Sequence, residues 1–231
     1  MKNSNEIALI VGAGDGLSAS LARLFARQGM KIGLVARNVT KLKPLCDEIG
    51  AISFPCDVAQ AKEVEKLFAQ VDAQLGPPTV VVYNPSFRTR GALVDLKSEE
   101  VEKALAITAY GGFLVGQQAA KRMLANQRGT ILFTGASASV KGYALSAPFA
   151  MGKFALRGLA QSMARELSPH NIHVAHFIID GGIRPHDKPA EDASDAMLDA
   201  DAIAQTYLHV LRQPRSTWAH EIDLRPWAEK F

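Results

Sequence analysis

Charge of one sign, cysteine and long apolar runs are all scarce in this chain, and each shortage removes a class of function. Its 26 basic and 23 acidic side chains leave a formal net charge of +3, with no lysine- or arginine-rich block. That is too little positive charge for a nucleic-acid surface. Only two cysteines occur, Cys46 and Cys56, too few for a disulfide scaffold, and no metal site is expected. With the polar start Met1-Lys2-Asn3-Ser4-Asn5-Glu6, which carries no secretory signal, they point to a reduced, cytoplasmic protein. The longest uncharged stretch, Ala104 to Ala120, is interrupted by Gly111-Gly112 and Gln117-Gln118, so it is too short and too broken to span a membrane. A stretch of this kind belongs on a helix buried in the core or against another subunit.

What is present is an ordinary globular composition. The 231 residues are 48% hydrophobic and 21% charged, enough for one domain, 1–231, with a large core. No repeat or low-complexity tract appears; short β-branched runs alternate with helical stretches instead. Strands are expected over 6–11, 31–36, 51–55, 79–83, 130–134, 172–178 and 221–224. Helices are expected over 16–28, 39–49, 61–75, 98–126, 147–167 and 201–212, the fourth with a capped start at Ser98. A loop rich in Pro, Asp and Ala follows residue 183. Strands separated by helices of this length form βαβ units, hence a doubly wound, Rossmann-type α/β fold with a parallel sheet and helices on both faces. Ligands in such sheets sit beyond the carboxyl ends of the strands.

The first strand runs into Val11-Gly12-Ala13-Gly14-Asp15-Gly16-Leu17-Ser18 and then into a helix. Glycines there let the backbone turn tightly and let a phosphate approach the free N–H groups of the helix. In this strand–turn–helix setting the string reads as a dinucleotide cradle, with Gly12, Gly14, Asp15, Gly16 and Leu17 as contacts. The second strand ends Val35-Ala36-Arg37-Asn38, without the carboxylate that would hold the ribose hydroxyls of NAD. Arg37 can instead pair with a 2′-phosphate, which favours NADP(H), although Asp15 near that phosphate argues mildly the other way and Arg37 can also be an ordinary solvated arginine. Asp57, after the third strand, can accept from an adenine amino group or act as the N-cap of the next helix.

Taken together these residues resemble the short-chain dehydrogenase/reductase family over nearly the whole chain. Gly12 and Gly16 correspond to that family's TGxxxGxG turn, with Val11 for the Thr and Ser18 for the last Gly. Asp57-Val58 resembles its adenine-contacting pair. Tyr83-Asn84-Pro85-Ser86 stands in place of its NNAG segment, with Asn84 kept. Lys153-Phe154-Ala155-Leu156-Arg157-Gly158-Leu159 is similar to the run after its catalytic YxxxK. Asp180-Gly181-Gly182-Ile183 replaces its PG motif.

The resemblance implies a catalytic tyrosine, a lysine four residues later that lowers its pKa and binds the nicotinamide ribose, a serine orienting the carbonyl, and an asparagine on the long helix. Lys153 is present, but Phe149 stands four residues before it, and phenylalanine has no proton to transfer. The serine position falls at Ala136 or Ser137, and the asparagine position at Thr108. Two readings follow. In the first, the chain is an NADP(H)-dependent oxidoreductase acting on a small carbonyl or alcohol, with Ser137 and Lys153 in the site and a relocated acid. Tyr143, on the loop after the fifth strand, is the favoured acid, with Tyr83 and Tyr110 also near the cofactor. The segment 183–198 would cover the substrate, with Gly182 and Ile183 against the cofactor. In the second, the chain is a catalytically degenerate cofactor-binding protein serving as sensor, scaffold or partner subunit. The resemblance also implies a homodimer or homotetramer through the helices carrying 104–120 and 147–167.

Overall fold

The computed structural model describes residues 6–185 and 195–228. Seven strands are present: β1 (Ile7–Val11), β2 (Lys31–Ala36), β3 (Ile52–Pro55), β4 (Val80–Tyr83), β5 (Gly129–Thr134), β6 (Ile172–Ile179) and β7 (Glu221–Leu224). They form one sheet in the order 3-2-1-4-5-6-7, and every neighbouring pair is parallel. Parallel neighbours cannot be joined by tight turns, so the chain crosses over through helices. These are α1 (Leu17–Arg27), α2 (Lys43–Ile49), α3 (Ala61–Gln74), α4 (Ser98–Leu105), α5 (Gly111–Asn126), α6 (Ala147–Leu167) and α7 (Ala200–Leu211). The doubly wound α/β reading therefore holds.

The alternation of side chains along each strand divides the core into two layers. On β1, Leu9 and Val11 join Val64, Phe68, Val115 and Leu156 on one side, where α3, α5 and α6 lie. Ala8 and Ile10 join Leu21, Phe25, Leu45 and Tyr207 on the other, beneath α1, α2 and α7. Each such large side chain, once buried, contributes about 1.5–3 kcal/mol, which is why β1 is apolar at every position. The strand order reverses between β1 and β4. Register sets Val11 opposite both Val35 and Tyr83, so the strand ends that frame the crevice are level.

Two expectations about helices are corrected. The helix expected over 98–126 is interrupted by one π-helical stretch, Ala106–Tyr110, between α4 and α5. The cause lies on β4: the Tyr83 hydroxyl donates to the carbonyl of Ile107. A Cβ at Gly111 would stand 2.5 Å from that hydroxyl, and one at Gly112 2.5 Å from Leu156. The ladder widens where the tyrosine enters, as π-turns do. The start is not capped by Ser98 either, because Lys97 occupies the N-cap and makes no side-chain cap.

The uncharged stretch on α5 is split, with Leu114, Val115 and Ala119 in the core, while Tyr110 and Phe113 stack on the outside with ring centroids 6.2 Å apart. Of the loop after residue 183, positions 186–194 lie outside the described residues. Its two ends meet: Ile183 bridges to Leu198, and Arg184 pairs with Asp199. Asp199 also caps α7 through the backbone N–H groups of Asp201 and Ala202. Among the described residues no helix is long and apolar enough to cross a membrane.

Candidate active site

Beyond the ends of β1, β2 and β4 lies a groove built by the glycine turn. Gly12 has φ +82°, and a Cβ there would come within 2.6 Å of the Pro85 nitrogen, so no larger residue fits. Gly14 and Gly16 face open space. α1 starts at Gly16 without any side-chain cap, so its first N–H groups and the positive end of its dipole are available to an anion. Leu17 sends its side chain into the core, leaving its backbone as what it can offer. Ser18, where the family pattern has glycine, donates to the Gly12 carbonyl at 3.0 Å and accepts from Asn84 Nδ2 at 2.8 Å. The amide of Asn84 thus ties the end of β4 to the turn.

Arg37, Asn38, Lys41, Asp57 and Val58 line the same groove, and Asp15 lies in its continuation beside Arg23 and Lys41. Among the described residues Arg37 and Lys41 have no carboxylate within ion-pair distance. Asp57 is not the cap of α3, which begins after Gln60. Its Oδ1 accepts from Ala59 N at 3.1 Å, and its own N–H donates to Glu63 at 2.7 Å. An uncapped helix start, an open glycine turn and two unpaired cations fit a phosphorylated dinucleotide.

A second cleft, of about 820 Å³, opens over the ends of β4, β5 and β6 and shares Asn84 and Ser86 with the first groove. Lys153 forms its floor. It is 3% exposed, and its ammonium donates to the Thr134 carbonyl at 2.7 Å. Burial brings its pKa down to about 8, because a low-dielectric surrounding disfavours the charged form. Phe149 lies one turn earlier on α6, its ring centroid 5.9 Å from Lys153 Nζ. Tyr143 lines the cleft from a half-exposed position on its rim, and Gly182 and Ile183 complete the wall.

Ser137 also lines this cleft, with its hydroxyl beside the Asp180 carboxyl. Burial pushes the Asp180 carboxyl up, yet the hydrogen bond from Ser137 and the charges of Lys141 and Arg225 outweigh it and hold the group below its usual range. Thr108, at the asparagine position, is buried under Gly152 and accepts from Phe87 N at 3.4 Å. Tyr83 and Tyr110 leave the candidate list. Tyr83 is wholly buried, donates to Ile107 and has its pKa raised by burial, whereas Tyr110 sits on the outer face of the helix.

Three cations escaped the sequence reading. Lys41 was hidden in a short 3₁₀ turn ahead of α2. Arg88 and Arg90 line the second cleft, and the signal that could have found them is two arginines one residue apart just past a strand's carboxyl end.

The comparisons agree with this geometry. Residues 6–185 match the model of the short chain dehydrogenase family. A 3-oxoacyl-[acyl-carrier-protein] reductase of Bos taurus is 25% identical over 225 residues, covering 92% of this chain and 94% of that protein. Among solved structures, a short-chain dehydrogenase from Rhodopseudomonas palustris is 35% identical with a TM-score of 0.84, covering 96% of this chain and 99% of the other. A metagenomic short-chain oxidoreductase in complex with NADP is 26% identical with a TM-score of 0.86, covering 98% and 99%. With its glycine turn, its lysine-floored cleft and a family match over most of its length, the chain belongs to the short-chain dehydrogenase family.

Proposed function

We propose that this protein is an NADP(H)-dependent oxidoreductase acting on a small carbonyl or alcohol, with its proton donor displaced from the usual tyrosine. The observation that carries the reading is that the dinucleotide groove and the Lys153 cleft are joined through Asn84 and Ser86. A cofactor laid along the first would present its reactive end in the second. When bound, the nicotinamide supplies or accepts the hydride. Relatives reduce 3-oxoacyl groups by their names, and a structural neighbour holds NADP.

The chain's own residues divide the remaining work. Lys153 would hold the nicotinamide ribose and keep positive charge beneath the reacting oxygen. Tyr143 gives its proton to that oxygen during reduction and regains one from the solvent it faces. Ser137 is kept in place by Asp180, and Gly182 and Ile183 back the cofactor. The expected cover of the substrate, 183–198, falls mostly on positions 186–194, which lie outside the described residues. Turnover of NADPH against a panel of carbonyl compounds tests the proposal. Phe149 favours the second reading, a cofactor-binding protein without turnover, and that reading wins if NADPH binds tightly and no carbonyl or alcohol is converted.

Cofactor choice rests on Arg37 and Lys41. NADPH is expected to bind at least about tenfold more tightly than NADH, since a charge-assisted phosphate contact is worth about 1.5–3 kcal/mol. Arg37→Asp should erase or reverse the preference. Equal affinities of the wild type by titration calorimetry would remove the assignment.

The exposed Tyr110 and Phe113 on one helical segment and Met151 and Phe154 on α6 support assembly into a homodimer or homotetramer, closed by two-fold symmetry. Light scattering at micromolar concentration should give a dimer or tetramer mass. A monomer there refutes it.

A further inference from the structure

The second cleft carries more positive charge than hydride transfer requires. Besides Lys153, its described lining includes Arg88 and Arg90 and contains no Asp or Glu. Both arginines lie on the segment that follows β4. Thr89 between them is tied to Glu100 on α4 through its hydroxyl, while its two neighbours line the cleft. Gly91 N donates to the Leu145 carbonyl at 3.2 Å, which fastens the segment to the loop carrying Tyr143.

Neither guanidinium has a carboxylate partner among the described residues. Arg88 instead lies over the Phe149 ring, 5.0 Å from its centroid. That contact gives the aromatic replacement a purpose: the ring is a platform that holds the guanidinium in the cleft by cation–π attraction. Burial first, and then the like charge of Arg90, press the pKa of Arg88 down. Both arginines are exposed and line the same cleft without a counter-charge among the described residues, so an anion entering it meets two free cations. The dinucleotide phosphates do not need them, because the uncapped helix, Arg37 and Lys41 lie in the other groove.

We propose that Arg88 and Arg90 bind a carboxylate on the substrate, so that the cleft takes an oxo acid or the matching hydroxy acid. A guanidinium held over a ring face by its central carbon can still offer N–H donors, and their planar fork matches a planar carboxylate two-to-two. A phosphate group is tetrahedral and lacks that planar match, and because the start of α6 also opens on this cleft at Ser146, phosphonate analogues are the competing ligands in the test. This proposal deepens the oxidoreductase reading and rests on it for the word substrate, but the binding site itself can be tested apart from turnover.

The experiment uses the full chain saturated with NADPH. Acetoacetate, 4-oxopentanoate and benzoylformate are compared with their methyl esters and with phosphonate analogues, by NADPH oxidation and by titration calorimetry. The expected result is a preference of at least tenfold for the acids over the esters, in kcat/KM and in affinity. Arg88→Gln and Arg90→Gln should each reduce that ratio severalfold, and the double variant should bring it near one. Circular dichroism and NADPH affinity of the variants guard against misfolding. If nothing is turned over but the acids still bind in an arginine-dependent manner, the carboxylate site stands and the oxidoreductase reading fails. Equal handling of acids and esters, a preference that survives in the double variant, or tighter binding of the phosphonates overturns the proposal.

Discussion

Exchange of Lys153 for methionine is expected to lower turnover by about 10²–10³-fold while leaving the protein as stable as before or more so. Most buried residues behave the opposite way, losing stability first. The difference follows from where the ammonium sits. It is nearly enclosed and makes one hydrogen bond, to the Thr134 carbonyl. Burial lowers its pKa from 10.5 to about 8, which at neutral pH corresponds to an energetic penalty on the order of 3 kcal/mol for keeping the group charged in the fold. Methionine has a similar length and no charge, so the penalty disappears. What is lost in exchange is one hydrogen bond, worth about 1 kcal/mol. Removing a preorganised charge beside the reacting oxygen costs turnover about 10²–10³-fold.

The pH dependence provides an independent check. Between about 8 and 10.5 the unfolded chain keeps the proton on this lysine and the folded chain has released it. The unfolded state then binds more protons, so the stability of the wild type rises with pH through that window. Below about 8 both states are protonated and the penalty is fully present. Denaturant titrations at pH 7.5 and pH 10 should therefore show a larger gain for the wild type than for Lys153→Met. Equal gains, or a methionine variant several kcal/mol less stable, would mean that the lysine is structural.

The sheet was legible because most of its strands are apolar runs and β7 alternates: β2 and β7 fall at the expected residues, and the others shift by one. The glycine turn was legible because Gly12 faces a backbone that no side chain could pass. Features that depend on partners distant in sequence were not. The π-helical stretch forms where Tyr83 arrives from β4, and within 98–126 only Gly111-Gly112 marks the space it takes. Ser137 reads as a free hydroxyl until Asp180 comes across from the end of β6. Phe149 reads as a deletion of chemistry until Arg88 is found over its ring. Each is a polar group whose meaning is set by what tertiary packing places against it, and periodicity carries no trace of such partners.

Phe149→Tyr is expected to raise carbonyl reduction by about 10²-fold, toward the lower end of what a positioned acid contributes. The ring already has both Arg88 and Lys153 near it, at 5.0 Å and 5.9 Å from its centroid. A tyrosine keeps that geometry, and the added hydroxyl meets positive charge, which favours the phenolate and lowers the tyrosine pKa toward working pH. The gain stays at the lower end because Ser137 is held by Asp180 and Thr108 stands at the asparagine position, so the other parts of the usual relay remain altered. Tyr143→Phe supplies the other half of the test. In the wild-type background it should reduce turnover at least tenfold, since the displaced donor is removed. In the Phe149→Tyr background it should matter little, because the restored hydroxyl makes Tyr143 redundant. That non-additivity is the signature of two groups competing for one role. If Tyr143→Phe reduces both backgrounds by the same factor, the tyrosine shapes the rim and another group moves the proton. If Phe149→Tyr gains nothing while NADPH still binds, proton transfer does not limit the reaction, and the aromatic ring is kept at this position for the arginine it carries.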